Sequence, residues 1–279
     1  MRFACVMRQQ IGQANGFQSI DLLCIAPLDA ERRALLRHLP PAQQLPPDDE
    51  DVRIYYSISL PVELADGRRG AYQLIVTSPL AMGRVDAAIL TNDALRRFRP
   101  RYVLLVGIAG GTPEKAALGD VLIADQFVDY EMQKLTDEGA QIRYRVHPAD
   151  ARLLGAAQHL SGWEHAVAVP RPEPGTPRCH VGTIASGDKV QAKTDSLGLY
   201  QEAWPQLIGV EMEAGGVASA AFQASQKPGV LMVRGVSDLA DGHKNNAAVR
   251  AWREYAYEVA AAFAVALLRS GPLPFVDAK

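Results

Sequence analysis

Residues 207–241 read LIGVEMEAGGVASAAFQASQKPGVLMVRGVSDLAD, a pattern of strand, helix and strand. Residues 207–212 and 229–236 are short apolar runs rich in β-branched side chains, and each run indicates a buried strand. Residues 214–225 are mostly Ala, Gly and Val, which predicts a helix that packs closely on a sheet. This order predicts a βαβ unit in which the two strands are parallel.

Two carboxylates follow the two predicted strands. Glu213 comes directly after the first strand, and Asp238 lies just beyond the second. Because the carboxyl ends of parallel strands meet at one edge, where open α/β sheets bind ligands, we expect both side chains to face one site. Taken singly, Glu213 would also suit a helix N-terminus and Asp238 a turn, but their joint occurrence favours a catalytic site.

The composition is that of an ordinary globular protein. The 279 residues are 48% hydrophobic and 22% charged, which is enough for one large domain. The net charge is -2 and no run of Lys or Arg forms a binding arm, so nucleic acid is not an expected partner. No sustained apolar segment of membrane-spanning length is present, and neither a membrane nor secretion is expected.

The cysteines and histidines indicate reduced thiols and no metal. Cys5, Cys24 and Cys179 are an odd number without metal-ligand spacing, which is typical of a cytoplasmic protein. None of the six histidines pairs with another at ligand spacing, so no metal is expected.

One domain is expected over residues 19–270, between an extension over residues 1–18, which can be disordered, and a tail over residues 271–279. Residues 20–26 predict a first buried strand and residues 28–39 a helix.

Glu31 occupies an unusual place in that first helix. Together with Leu28, Leu35 and Leu39 it lies on the apolar stripe, so we expect it beside the core. A carboxylate there is a candidate for a raised pKa and a catalytic role. The alternative is a side chain that bends out to solvent or pairs with a neighbouring Arg.

The remaining chain alternates between predicted strands and helices. The predicted elements are a hairpin of residues 52–62 and 71–77, further strands at 102–106, 121–125, 141–146 and 179–185, and helices at 85–98 and 148–160. A long final helix carries an apolar stripe formed by Val249, Trp252, Ala256, Val259, Ala260, Phe263 and Leu267. Arg253, Glu254 and Glu258 are expected on its opposite face.

A glycine-rich run, GIAGGT at residues 107–112, directly follows the predicted strand 102–106. Its glycines allow either close approach to a ligand or a sharp turn. The spacing fits neither the dinucleotide fingerprint nor the P-loop, so both of those nucleotide sites are rejected.

Five sequence blocks occur in a fixed order between about residues 19 and 268: CIAPLDAE, VGIAGG followed by LGDVLIAD, GTIASGD, VEMEA and VRGVSDLAD. On these blocks the chain resembles the hydrolytic branch of the nucleoside phosphorylase superfamily, of which methylthioadenosine/S-adenosylhomocysteine nucleosidase is the better understood member. The first block and the ending RGVSDLADGHKN, continued by WREYA, are most similar to nucleosidase effector domains of immune proteins.

The resemblance implies a three-layer αβα sandwich around a mixed, mostly parallel sheet, in a homodimer or higher homo-oligomer that cleaves the bond between ribose and a purine without a cofactor. By motif position, Asp238 would protonate the base at N7, and Glu31 would orient or deprotonate the attacking water. Glu213 would hold the ribose hydroxyls, and Met212 would pack on the sugar. The other implied substrate-binding residues are Ile108, Ala109, Gly110, Asp188, Val190 and Ser237.

Three positions depart from the relatives. Leu105 stands where phosphorylases have an Arg that holds phosphate, which favours water as the nucleophile. Ile108 stands where the methylthioadenosine enzymes have Ser, and Val190 where they have an aromatic residue that stacks on the base.

The residues leave the 5′ end of the substrate undetermined. Candidate phosphate contacts are Arg84 and Lys189, with Lys193, His243 and Lys244 as further cations. The leading interpretation is a hydrolase that releases a purine, adenine foremost. The alternatives are a phosphorylase that releases ribose 1-phosphate and a nucleoside-binding module without turnover.

Overall fold

The computed structural model describes residues 20–49, 51–137, 139–189, 198–239 and 247–275. Within these residues, ten strands form one mixed sheet. They are β1 (Leu22–Ile25), β2 (Gln43–Gln44), β3 (Tyr55–Glu63), β4 (Arg69–Thr77), β5 (Tyr102–Gly111), β6 (Val121–Asp129), β9 (Arg145–Pro148), β10 (Cys179–Ser186), β11 (Leu207–Glu211) and β12 (Gly229–Asp238). β7 (Gln133–Thr136) and β8 (Gly139–Ile142) form a separate small hairpin.

The helices lie on both faces of this sheet. They are α1 (Asp29–His38), α2 (Arg84–Phe98), α3 (Ala151–Gln158), α4 (Gly198–Ala203), α5 (Ala214–Gln223) and α6 (Ala247–Arg269), with a 3-10 turn at Trp163–Ala166. α1, α3 and α6 share one apolar core, and α2 and α5 share the other. The predicted three-layer arrangement is therefore confirmed.

Strand β1 shows why the sequences of the strands are continuous apolar runs. Leu22 and Cys24 pack into the core beneath α1 and α6, whereas Leu23 and Ile25 pack into the core beneath α2 and α5. Because helices cover both faces of the sheet, successive side chains are buried on alternate sides and no polar alternation remains.

The sheet is less parallel than the family resemblance implies. Within the described part of this ten-stranded sheet, five strand pairings are parallel and five are antiparallel. The strand order is β11-β10-β6-β12-β5-β1-β4-β3-β2, and β11 also pairs with β5. That extra pairing closes β5, β12, β6, β10 and β11 into a ring.

The prediction that β11 and β12 are parallel is wrong. β12 is parallel to β5, whereas β11 is antiparallel to β5 through the pairs of Gly209 with Gly111 and Val210 with Gly110. The ends of the two strands still meet, because the end of β11 runs back along β5 while Asp238 at the end of β12 pairs with Gly110. The expected proximity of Glu213 and Asp238 therefore arises from ring closure.

Strand pairing decides two further local features. Of the two alternatives for the glycine-rich run, the sharp turn is wrong, because β5 continues through Gly111 with β12 and β11 paired along its two edges. Residues 141–146 are not one strand: Ile142 ends β8, and Arg145 begins β9, which pairs with β6. The apolar pattern of these six residues does not reveal that the chain leaves one partner strand and pairs with another within them.

Glu258 does not lie on a solvent-facing side of α6. It is 1% exposed, and it accepts hydrogen bonds from Arg37 Nε at 2.9 Å and from His38 Nε2 at 2.7 Å. Burial opposes its charge, but these hydrogen bonds hold the pKa of Glu258 below its usual value. The periodicity of α6 misplaced this residue, since its partners come from α1, more than 200 residues away in sequence.

The chain ends are described in part. The predicted extension, residues 1–18, lies outside the described residues. Of the predicted tail, residues 271–275 pack on β4: Leu273 is buried, and its carbonyl accepts a hydrogen bond from the Tyr72 hydroxyl at 2.6 Å. Among the described helices, none is long and apolar enough to cross a membrane.

Candidate active site

A cleft of about 150 Å³ lies where β5, β11 and β12 end. The predicted site residues that line it are Glu31, Ile108, Ala109, Gly110, Lys189, Met212, Glu213, Ser237 and Asp238. Five separate parts of the chain therefore converge on one cleft.

Arg234 also lines the cleft, and the sequence patterns did not identify it as a site residue. It is 1% exposed, and its Nη2 donates to Glu213 Oε2 at 3.0 Å and to Glu211 Oε2. Burial opposes its charge, but Glu211, Glu213 and Glu31 raise the pKa of Arg234 above its usual value. An Arg within an apolar strand was the available signal, because a buried guanidinium requires carboxylate partners.

Glu211 was also missed, and it has a structural task. Its carboxylate accepts hydrogen bonds from the backbone N–H groups of Glu213 at 3.0 Å and Ala214 at 3.0 Å, at the start of α5. A carboxylate there satisfies N–H groups that have no partner within the helix. Glu211 thus fixes the turn that directs Glu213 into the cleft, and it helps to neutralise Arg234.

Glu31 is buried, as its place on the apolar stripe predicted. It is 3% exposed, and its two carboxylate oxygens accept hydrogen bonds from Leu28 N at 2.6 Å and Ile108 N at 2.8 Å. Burial raises the pKa of Glu31 to about 7, against the opposing influence of Arg234. Near neutral pH this carboxyl group can therefore exchange a proton.

Gly107 makes room for these charged side chains. A Cβ atom at this position would lie 2.6 Å from Glu31 Oε1 and would also clash with the Arg234 guanidinium. Glycine at this position in the run is therefore required by the packing of Glu31 and Arg234 across β5, rather than by a turn.

Glu213 lines the cleft, and both of its carboxylate oxygens accept hydrogen bonds from the protein. Its Oε1 accepts a hydrogen bond from Gly83 N at 3.3 Å, and its Oε2 accepts one from Arg234. Burial raises the pKa of Glu213, and the charge of Arg234 opposes this change. The side chain is held firmly while it lines the cleft.

Asp238 is oriented by its neighbour in sequence. The Ser237 hydroxyl donates to Asp238 Oδ2 at 3.0 Å, and Ser237 is itself buried. This contact fixes the carboxyl group at the end of β12, beside Gly110. One oxygen of Asp238 is thereby supported by the protein as the group faces the cleft.

Six predicted contacts either do not line the cleft or lie outside the described residues. Arg84 is held by Asp129 at 2.6 Å and by Asp188 at 3.2 Å, and neither Arg84 nor Asp188 lines the cleft. In this structure the two side chains pair with each other and so join the start of α2 to the segment that follows β10. Val190, Lys193, His243 and Lys244 lie outside the described residues.

Leu105 packs in the core beneath α2 and α5 and does not line the cleft. Its replacement of the phosphorylase Arg therefore does not by itself decide between water and phosphate. The preference for water or phosphate as the nucleophile depends instead on the charges that surround the cleft.

Comparison with known proteins identifies relatives over most of the chain. The family described as Phosphorylase superfamily matches residues 23–269. The 5'-methylthioadenosine/S-adenosylhomocysteine nucleosidase of Aeromonas salmonicida is 29% identical over 187 residues, which cover 64% of this chain and 74% of that protein. The ATP nucleosidase Cap17 of Escherichia coli is 30% identical over 196 residues, which cover 62% of this chain but only 37% of Cap17.

A solved structure shares the fold. The methylthioadenosine/S-adenosylhomocysteine nucleosidase of Colwellia psychrerythraea, determined in complex with adenine, superposes with a TM-score of 0.71 at 21% identity. The match covers 92% of this chain and 97% of that structure. The two chains therefore share the same fold over the matched residues.

Proposed function

The chain belongs to the phosphorylase superfamily, and from this we propose that it is an N-ribosyl hydrolase that releases adenine from a nucleoside or nucleotide. The observation that carries the proposal is the meeting of Glu31, Glu213 and Asp238 in one cleft. Cleavage needs a proton for the leaving base, a base for the nucleophile and a fixed ribose, and these three carboxyl groups can supply one function each.

In the proposed reaction, the C–N bond breaks as a water molecule adds to the anomeric carbon. The bonding electrons leave with the purine, which takes a proton from Asp238. Glu31 accepts a proton from the water, for which a pKa of about 7 suits it near neutral pH. Glu213 accepts hydrogen bonds from the ribose hydroxyls and so holds the sugar as it becomes oxocarbenium-like.

The charges around the cleft support water rather than phosphate as the nucleophile. Glu31, Glu211, Glu213 and Asp238 line it, and the buried Arg234 is already paired with two of these carboxylates. A phosphate dianion would meet like charges there, whereas a neutral water molecule would not. This supports hydrolysis over the phosphorylase alternative.

The test is incubation of the protein with adenosine, methylthioadenosine, AMP and ATP, with free adenine measured by chromatography. We expect adenine and a free ribosyl product in phosphate-free buffer. If release requires inorganic phosphate and yields ribose 1-phosphate, the phosphorylase alternative replaces the hydrolase. If no purine substrate releases its base, the binding-module alternative replaces both.

Replacement of Glu213 by Gln is expected to reduce discrimination against 2′-deoxyribosides. The unmodified protein should prefer ribosides by ~10²-fold or more, because a site built for hydroxyl groups penalises their absence. Gln keeps the size of the side chain but loses the charge that strengthens the hydrogen bonds. The measurement is kcat/KM for adenosine and 2′-deoxyadenosine, with Glu63→Gln on the exposed end of β3 as the control. Equal rates for both substrates in the unmodified protein would exclude this role.

We also propose that the chain forms a homo-oligomer, with a dimer as its smallest unit. Exposed apolar side chains next to the cleft support this: Val52, Leu80 and Met82 line one surface hollow beside it, and each is more than half exposed. Light scattering after size exclusion should give a multiple of 30.2 kDa. Leu80→Asp should shift the mass toward the monomer, and a monomeric unmodified protein would refute the assembly.

A cytoplasmic location remains part of the proposal. Cys24 and Cys179 are free thiols, and burial raises the pKa of each to about 12. Such thiols are unreactive at neutral pH and suit a reducing compartment. Fractionation of cells that express the chain would test the location.

A further inference from the structure

Arg253 lies on the side of α6 away from the apolar stripe, as its periodicity predicted, and there it lines the cleft. It lies in the second turn of that helix, and its side chain reaches the same cleft as Glu31 and Asp238. Its side chain is also exposed to solvent, in contrast to the buried Arg234. Arg253 therefore belongs to the outer, solvent-facing part of the cleft.

The charge of Arg253 is not neutralised by the described residues. The ion pairs within the described part of the chain include no carboxylate paired with Arg253. Among the described residues, Lys189 is a second exposed cation that lines the cleft, and its ammonium group is bound by both oxygens of Glu131 at 2.7 Å. Of these two described side chains, Arg253 is the one without a carboxylate partner.

The charges divide the cleft into two zones. The inner zone holds the carboxylates of Glu31, Glu211 and Glu213 around Arg234, and it would repel an anionic group. The outer zone holds Arg253 and Lys189. An anion attached to the substrate is therefore stable only in the outer zone, away from the glycosidic bond.

We propose that Arg253 binds the 5′-phosphate of the substrate and makes the protein selective for purine nucleotides over nucleosides with an uncharged 5′ group. This rests on the proposed function, since the inner zone orients the base and ribose. For the phosphate to avoid these carboxylates, the 5′ carbon of a ribose held by Glu213 has to point toward the outer zone. The planar guanidinium can then donate two parallel hydrogen bonds to phosphate oxygens, which an ammonium group cannot match.

The experiment compares kcat/KM for AMP, ATP and adenosine in the unmodified protein, Arg253→Met and Arg253→Lys. Met keeps the length and apolar stem of the side chain but removes the charge. We expect the unmodified protein to favour AMP over adenosine by ~10-fold or more, and Arg253→Met to reduce the ratio by ~10- to 100-fold, mainly through KM. Arg253→Lys should give an intermediate ratio.

Arg250→Met is the matched control, because Arg250 is an exposed Arg on the same helix that does not line the cleft. It should leave the ratio unchanged. A ratio near one in the unmodified protein, or an unchanged ratio in Arg253→Met, would overturn the proposal while leaving the hydrolase assignment intact.

Calorimetric titration with AMP and adenosine tests the phosphate contact of Arg253 independently of the hydrolase assignment. If no substrate releases adenine, the hydrolase assignment fails. Tighter binding of AMP than adenosine that depends on Arg253 would still support the phosphate contact, and equal binding would overturn it.

Discussion

Asp238→Asn is expected to lower turnover by ~10²–10⁴-fold, the usual loss when a general acid is removed. Asn preserves the size and most of the hydrogen bonding of the side chain, and Ser237 can still donate to its amide oxygen. What it lacks is a proton that can be transferred to the departing purine. Since that transfer occurs in the transition state, kcat should fall far more than substrate affinity.

The measurement is steady-state release of adenine by unmodified and variant protein, with thermal unfolding as the check on folding. Asp66→Asn, in the exposed turn between β3 and β4, is the matched control and should retain full activity. Near-normal turnover in a folded Asp238→Asn protein would remove Asp238 from the role of general acid.

Glu31→Gln is expected to lower hydrolysis by a similar ~10²–10⁴-fold, because the variant cannot accept a proton from water. The substitution also disturbs the site. Both carboxylate oxygens of Glu31 accept hydrogen bonds from backbone N–H groups. In the Gln variant the amide nitrogen would face one of these N–H donors, which would then have no acceptor. A loss of stability of ~1–3 kcal/mol is expected from this change.

Activity and stability must therefore be measured on the same preparations. The assay should be run well below the unfolding temperature of the variant, and adenine binding should be measured by calorimetry. Loss of hydrolysis with retained binding would support the general-base role. Hydrolysis at the original rate would contradict it, whatever the effect on stability.

The pH profile provides an independent signature of Glu31. Because burial raises its pKa to about 7, the carboxyl group takes up a proton as the pH falls below 7, and it can then no longer accept one from water. Hydrolysis should therefore decline on the acid side, starting near pH 7 rather than near the usual Glu value. The residual activity of Glu31→Gln should lack this decline. An identical acid limb in both proteins would assign it to another group.

The sequence by itself determined the local elements and the residue types of the site. Apolar runs predicted the main strands because helices cover both faces of the sheet, and helical periodicity placed Glu31 in the core before any tertiary information was available. The five motif blocks identified Glu213, Met212 and Asp238 as candidates, and all three line the cleft. Each of these inferences depends on residues that are close together in the chain.

Only the tertiary structure decided how those parts meet. The direction of β11 is set by its pairing with β5, about 100 residues earlier, so a strand-helix-strand pattern could not reveal it. Arg234 can be buried because carboxylates neutralise it, and Glu258 because cations neutralise it. These partners come from other segments of the chain, so a hydropathy pattern cannot reveal them. Arg253 reaches the cleft for a related reason: periodicity describes one helix and its core, whereas the direction of a solvent-facing side chain depends on which neighbouring elements leave an opening there.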